Sequence, residues 1–272
     1  MVKVAFQGER GAFSEDAAIK LFGEGIDFLP CVRLRDVFQA VLEDNVSFAV
    51  VPVENSQAGS INETYDLLLA YPLNIFAEII LRISHCLMAL PGEKLADIKT
   101  IYSHPQALAQ CEEFLTKLKV EIVPSYDTAG SAKMVKENQR TGIAAIASKR
   151  AADTYSLEIL MPQIETNINN YTRFFAISKQ KAKPVEKNKT SLVFSVKHVS
   201  GALHKVLGIF ATRNINLTKL ESRPSKSKPW EYVFYVDFEG HSDGEIYQEA
   251  IKELRKEAAF VKILGSYPQA KQ

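Results

Sequence analysis

Apolar and polar positions along the chain follow two successive rhythms. In the first, Val2, Val4 and Phe6 alternate as a strand does, and the loop QGERGA follows. A helix is predicted from Ser14, an N-cap residue type with Glu15 and Asp16 in the first turn. In DVFQAVLEDN, Val37, Phe38, Val41 and Leu42 share one helical face, with Asp36 and Gln39 spaced as a capping box. FAVVPV reads as a buried strand that emerges at Glu54, Asn55 and Ser56. Residues 75–90 alternate over a length that would let the chain cross from one lobe to another. The strands IKTIYS, VEIVP and GIAAIAS then precede helices opening at Pro105, after Asp127 and in KRAADTYSL. A last apolar run, Phe174 to Ile177, has Thr172 and Arg173 at its mouth. Repeated strand–helix units predict mainly parallel sheets covered by helices, and two such lobes enclose a cleft.

The second rhythm starts after KQKAKPVEKNKT, residues 179–190, a polar and lysine-rich segment that reads as a solvated linker. Leu192, Phe194 and Val196 alternate as a strand. A helix after Ser200 aligns Leu203, Val206, Leu207 and Phe210. INLTKLES, a turn through RPSKSKP and the strand WEYVFYVDF come next. A helix after Asp243 and the strand FVKILGS complete a βαββαβ order of the ferredoxin-like kind. The predicted organisation is a two-lobed domain over 1–180, a linker over 181–190 and a second domain over 191–272.

Composition narrows the function. The 272 residues carry 33 basic and 32 acidic side chains, a balance that leaves no basic footprint for nucleic acid. Hydrophobic content of 46% and charged content of 24% are those of a globular protein. Cys31, Cys86 and Cys111 have neither CxxC spacing nor an even count, so no disulfide framework and no metal site is expected. The N-terminal stretch has no apolar signal core, and no run approaches a membrane span. A cytoplasmic protein with no membrane partner is expected.

The motifs GERGAFSEDAA, VPVENSQAGSI, SHPQALAQC, DTAGSAKM, AAIASKRAA and NYTRF occur in an order that resembles prephenate dehydratases. Residues 191–267 are similar to the ACT regulatory domain, with its effector motifs as GAL at 201–203 and ESRP at 221–224. The first loop, Gly8 to Ser14, departs from the G-P-x-G-T-F-S form of many bacterial members. Its Ala12, HCL and SHPQALAQC also look like plant arogenate dehydratases. No helical segment precedes the first strand of this sequence, so the likeness is to members without a fused chorismate mutase. The resemblance implies a periplasmic-binding-protein-like two-lobed catalytic domain, a reaction without cofactor or metal, prephenate as substrate and phenylalanine as feedback effector. It also implies a homodimer or homotetramer formed through the ACT domain. The alternatives are arogenate as substrate, and a non-catalytic small-molecule sensor.

Each candidate residue has a chemical reason. Prephenate becomes aromatic by losing carbon dioxide and its ring hydroxyl, so the departing hydroxyl needs a hydrogen-bond or proton donor, assigned to Thr172. Arg173 is expected to clamp the pyruvyl carboxylate, because a cation on the departing carboxylate would oppose decarboxylation. Phe174 is expected as a cleft wall. Glu54, Asn55 and Ser56 leave a buried strand where α/β sheets bind ligands, with Glu54 either paired to a cation such as Arg173 or protonated. Gln106, with Ser103 and His104, opens a helix whose amides favour anions. For the effector, Gly201, Ala202 and Leu203 supply a helix start for the carboxylate and Glu221 answers the ammonium. Ser222 belongs to the same effector motif, and Arg223 and Pro224 shape the loop.

Overall fold

The computed structural model describes residues 2–225 and 231–270, so Trp230 and most of the SKSKP turn lie outside the described residues. The chain divides into two compact units, Met1–Thr64 with Ile79–Phe174, and Tyr65–Glu78 with Phe175–Gln272.

The first unit is built on β1 (Lys3–Gln7), α1 (Phe13–Phe22), β2 (Asp27–Cys31), α2 (Leu34–Leu42), β3 (Phe48–Asn55) and β4 (Gly59–Ser60). Next come α3 (Asn62–Ala70), β5 (Asn74–Arg82) and β6 (Cys86–Ala89), then β7 (Thr100–Ser103), α4 (Pro105–Gln110), α5 (Glu112–Leu115) and β8 (Glu121–Pro124). The remaining elements are α6 (Thr128–Asn138), β9 (Ile143–Ala147), α7 (Lys149–Tyr155), β10 (Glu158–Met161) and β11 (Tyr171–Ser178). The division between the units falls inside α3, β5 and β11.

One sheet has the order β2-β1-β3-β11-β5 and the other the order β10-β6-β9-β7-β8. Two sheets in one unit give the two-lobed α/β architecture expected. The second sheet is less parallel than predicted. β7 runs parallel to β8 and β9, whereas β6 and β10 are antiparallel to their neighbours. The reason is that the chain enters this lobe through β6 directly from β5 and closes it with the short β10, neither through a helical crossover.

Two helix starts differ from the sequence reading. Ser14 lies inside α1, whose N-cap is Ala12, a residue with no side-chain acceptor, while Glu15 in the first turn accepts from Arg10 and the Gly11 amide. Asp36 lies in the first turn of α2 and bonds Arg33, the actual N-cap, at 3.0 Å. The predicted starts at Pro105 and after Asp127 hold, the latter with Asp127 as N-cap.

The second unit contains β12 (Asn188–Val196), α8 (Ala202–Ala211), β13 (Leu217–Pro224), β14 (Tyr232–Glu239), α9 (Glu245–Glu257) and β15 (Ala258–Pro268). Its antiparallel sheet has the order β13-β14-β12-β15, which is the βαββαβ pattern read from the sequence. One face packs Leu192, Phe194, Val236 and Phe238 against Val206, Phe210, Ile251 and Leu254 of the helices.

The other face is covered too, and two sequence expectations fail there. Strand β12 starts at Asn188, so the polar segment ends before Lys189 and is not solvated throughout. Lys189 bonds Glu78 at 2.8 Å, with side chains 11% and 0% exposed. Residues 65–78 supply the cover. The Tyr65 ring lies 4.9 Å from Tyr235, and Lys262 Nζ donates at 2.7–2.8 Å to the carbonyls of Leu68, Leu69 and Tyr71 at the end of α3. Buried carbonyls at a helix end need such donors. The alternation of Leu192, Phe194 and Val196 is therefore incomplete as a guide, since Ser191 and Val193 are also buried.

Candidate active site

Both sheets of the first unit border a cavity of about 490 Å³. It collects Gln7 to Glu9 and Ala12 to Ser14 of the β1–α1 connection, Cys31, Asn55, His85, the start of α4, Asp127 and the mouth of β11. The β1–α1 loop requires glycine at one point. Gly11 has φ +89° and lies so close to α7 that a Cβ would meet the Ala151 backbone at 2.6 Å. Ser148 Oγ donates to the Gly11 carbonyl at 2.6 Å, and Glu9 pairs with Lys133 at 3.1 Å. The loop is thus fastened to the α6–α7 side of the unit.

Of the predicted residues, Asn55, His104, Gln106, Thr172 and Phe174 line this cavity. Strand alternation explains the selection on β11. Successive side chains point to opposite faces, so with Thr172 and Phe174 in the cavity, Arg173 faces away. Arg173 Nη1 is 3.9 Å from Glu54 Oε2, and neither residue lines the cavity. Ser56 also lies outside it. Its hydroxyl donates to the Asn169 carbonyl and accepts from the Tyr171 amide, closing the 167–171 loop. Ser103 is fully buried and donates to the Ile146 carbonyl at 2.6 Å. His104 caps α4 by accepting from the Gln106 amide, and burial holds its imidazole below the usual histidine range.

The polar centre is a network with a fixed sense. The amides of Gln57 and Ala58 each donate to Asn55 Oδ1 at 3.0 Å. Backbone N–H groups only donate, so the Asn55 oxygen must face them and its nitrogen must face the cavity. Asn55 Nδ2 then donates to Asn170 Oδ1 at 2.8 Å and to Thr172 Oγ1 at 3.0 Å. Thr172 is 8% exposed and, among the described residues, its hydroxyl hydrogen has no acceptor. The hydroxyl is an acceptor toward Asn55 and a free donor toward the cavity.

Sequence reasoning missed Gln110, Asn170 and His85. Asn170 Nδ2 donates to Gln110 Oε1 at 2.9 Å, and Gln110 Nε2 lies 3.5 Å from Asn55 Oδ1. A signal for Gln110 was present, since it follows Gln106 by four residues and so shares its helical face. Glu9, Phe13, Tyr126 and Asp127 also line the cavity without having been singled out. Burial raises the Asp127 carboxyl above its ordinary range, and burial pushes the Tyr126 phenol up to about 12. Among the lining residues there is no lysine or arginine. The N-terminus of α1, which no side chain caps, borders the cavity through Ala12, Phe13 and Ser14. Among the described residues no cluster of His, Cys, Asp and Glu is arranged to hold a metal, and none of the helices is long and apolar enough to cross a membrane.

In the second unit, Gly201, Ala202 and Leu203 line a separate cavity of about 490 Å³ with His198, Tyr232 and Phe234. Glu221, Ser222, Arg223 and Pro224 do not line it. Glu221 pairs with Lys219 at 3.0 Å and Arg223 with Asp66 at 3.0 Å.

Comparison with known proteins places the chain in a family. The prephenate dehydratase family model matches residues 4–182, and the ACT domain model matches residues 190–257. A bifunctional chorismate mutase/prephenate dehydratase of Aquifex aeolicus is 42% identical, over 99% of this chain and 74% of that one. An arogenate dehydratase/prephenate dehydratase of Arabidopsis thaliana is 43% identical, over 98% of this chain and 73% of that one. Among solved structures, a prephenate dehydratase of Arthrobacter aurescens in complex with L-Phe superposes with a TM-score of 0.90. It is 30% identical and covers 98% of this chain and 90% of its own. The chain therefore belongs to the prephenate dehydratase family of lyases and carries an ACT domain after its dehydratase region.

Proposed function

We propose that this protein converts prephenate to phenylpyruvate in the cavity of its first unit, with Thr172 as the group that assists the departing hydroxyl. The C4–O bond breaks with its electron pair leaving on oxygen, and the ring carboxylate leaves as carbon dioxide, its bonding pair completing the aromatic ring. Prephenate dianion and one proton thus give phenylpyruvate, carbon dioxide and water. Aromatisation drives the step, so no electron sink is needed.

The observation that carries this reading is the direction of the bond from Asn55 to Thr172. It leaves the threonine proton for the substrate oxygen, and such donation contributes about 100- to 10,000-fold. Phe174 and Phe13 supply apolar walls. The carboxylates are assigned to main-chain amides at the start of α1 in place of Arg173, which leaves the ring carboxylate without a cation that would hold it back. Glu54 and Arg173 then act as a pair behind the site, and Ser56 and Ser103 hold its loops. Incubating the protein with prephenate and following phenylpyruvate tests the reading, and absence of product would end it.

Arogenate as a second substrate is favoured by one observation. Asp127 lines the cavity beside Glu9, whose charge is already paired with Lys133 at 3.1 Å, so an ammonium in place of the keto group would meet the Asp127 carboxyl as an acceptor. Parallel assays with the two compounds separate the readings, since arogenate yields phenylalanine directly.

The second unit is assigned to regulation, with phenylalanine as effector at Gly201, Ala202 and Leu203. The N-cap position of Gly201 at the start of α8 supports it. Completion of the site by Glu221 and its neighbours is assigned to a homodimer or homotetramer, in a cytoplasmic enzyme. Added phenylalanine in the same assay, with light scattering, tests both points.

A further inference from the structure

The proposed chemistry leaves one buried polar group on the cavity wall unused. His85 is 2% exposed, and its ring stands edge-on to Phe13 with centroids 5.6 Å apart. Its Nε2 lies 2.9 Å from Gln110 Oε1, while its Nδ1 is sealed from solvent with no partner among the described residues. Its backbone is held on both sides, the amide donating to Glu165 Oε2 at 2.9 Å and the carbonyl accepting from Ile164 at 3.0 Å.

Which ring nitrogen carries the proton follows from the network. The Gln57 and Ala58 amides fix Asn55 Oδ1 as an acceptor, so Asn55 Nδ2 donates to Asn170 Oδ1. Asn170 must then turn its nitrogen to Gln110 Oε1. That oxygen is an acceptor, so the bond to His85 requires a donor at Nε2. The relay has two anchors, the 57–58 amides at one end and the His85 N–H at the other. Take away the second and Gln110 Oε1 keeps only its bond from Asn170, so the relay is held from one end and Asn170, Asn55 and Thr172 are less tightly fixed.

We propose that His85 is a positioning residue for this reaction, held as the neutral Nε2–H tautomer to fix the relay that presents the Thr172 proton. This rests on the role given to Thr172 above. Protonation would leave the Nε2–H bond intact but place a second N–H at the sealed Nδ1, which has no acceptor among the described residues. Glu165 is the charged group near the ring, and it is occupied by the His85 amide, Ser84 and Arg82. Burial accordingly lowers the His85 pKa, with Gln110 and Glu165 opposing.

The test pairs His85→Leu, which keeps apolar bulk, with His85→Gln, whose amide offers an N–H near the Nε2 position. In the full-length protein, His85→Leu is expected to lower kcat about 100-fold, as for a displaced reacting group, with KM little changed. His85→Gln is expected to recover most of that loss. Nitrogen-15 NMR of wild-type imidazoles, with His85 identified by its absence from the glutamine variant, is expected to show the Nε2–H tautomer at neutral pH. An Nδ1–H tautomer or an imidazolium there would overturn the assignment without any variant having to fold. A folded leucine variant with wild-type kcat, or a glutamine variant as slow as the leucine one, would also overturn it. If the wild-type protein turns over neither prephenate nor arogenate, the dehydratase reading falls and this role with it.

Discussion

The cavity of the first unit and the cavity of the second are assembled in different ways. The first draws on segments far apart in the chain, from Gly8 to Phe174, and its central polar groups satisfy one another in a single direction. The second is lined mostly by one continuous run, residues 196–204, with a short stretch of β14. Its other sequence motif is engaged elsewhere, Glu221 with Lys219 and Arg223 with Asp66. Motifs that lie in the right order need not converge in one chain. A reacting group must be fixed before substrate arrives, since misplacement by about 1 Å costs on the order of 100-fold. An effector site has no such need, because it acts by preferring one state of the protein to another.

The largest effect should come from the fixed site. Thr172→Val keeps the β-branched shape and removes the hydroxyl, so kcat is expected to fall about 100- to 10,000-fold with the melting temperature nearly unchanged. Steady-state kinetics beside a thermal melt checks this. Intact turnover in a folded variant would mean that the ordered network is a packing device and the contrast between the two cavities has no catalytic content.

In the second unit the strongest expected effect is on stability. Lys189→Met removes the ammonium that lies 2.8 Å from the fully buried Glu78 carboxylate. Breaking such a pair from one side costs about 3–5 kcal/mol. Denaturant unfolding of the variant should show that loss, while turnover measured below the unfolding transition stays near wild type. A variant as stable as the parent would show that the pair is hydrated.

Lys189 also marks where the sequence stopped being legible. A lysine in a run such as KNKT reads as solvated, and nothing nearby reveals Glu78, more than a hundred positions earlier. Strand and helix order, the βαββαβ pattern and the polar head of β11 were readable because they rest on local periodicity. The pairing of β6 and β10 was not, because it depends on where the chain re-enters a sheet. Within the site, Thr172 and Asn55 were accessible from their place at strand ends. His85 was hidden because its importance lies in one ring nitrogen bonded to Gln110, a contact that no spacing announces. Arg173 stands apart from the other residues of that strand mouth. Its charge suited an anion clamp, but the period of two in β11 gives one face to Thr172 and Phe174 and the opposite face to it.

A smaller effect is expected from pH. Burial lowers the pKa of both His85 and His104 in the folded protein. Between those lowered values and the unfolded value near 6.5, the unfolded chain binds more protons, so stability rises with pH there. The contribution is complete above about 6.5 and is lost as pH falls through that value toward the folded pKa values. Unfolding curves at a series of pH values should show the decline, and His85→Gln should reduce its slope. An equal slope in the two proteins would remove His85 from the account.

The smallest effect falls on the residue the sequence ranked among the most important. Arg173 and Glu54 are 3.9 Å apart, with side chains 11% and 37% exposed, a separation too long for a direct hydrogen bond. Lysine keeps the charge and loses the planar fork, which matters where a carboxylate is gripped by two parallel bonds and little at this separation. Arg173→Lys should therefore cost about 1 kcal/mol of stability or less, and leave kcat and KM for prephenate close to those of the parent. The measurement is a substrate titration of the two proteins at matched folded concentration. A KM raised tenfold with kcat retained would put the guanidinium on the substrate's persistent carboxylate, which requires β11 to turn its other face to the cavity when substrate binds. The ordered network would then describe only the empty site, and the first cavity, like the second, would be completed by its ligand.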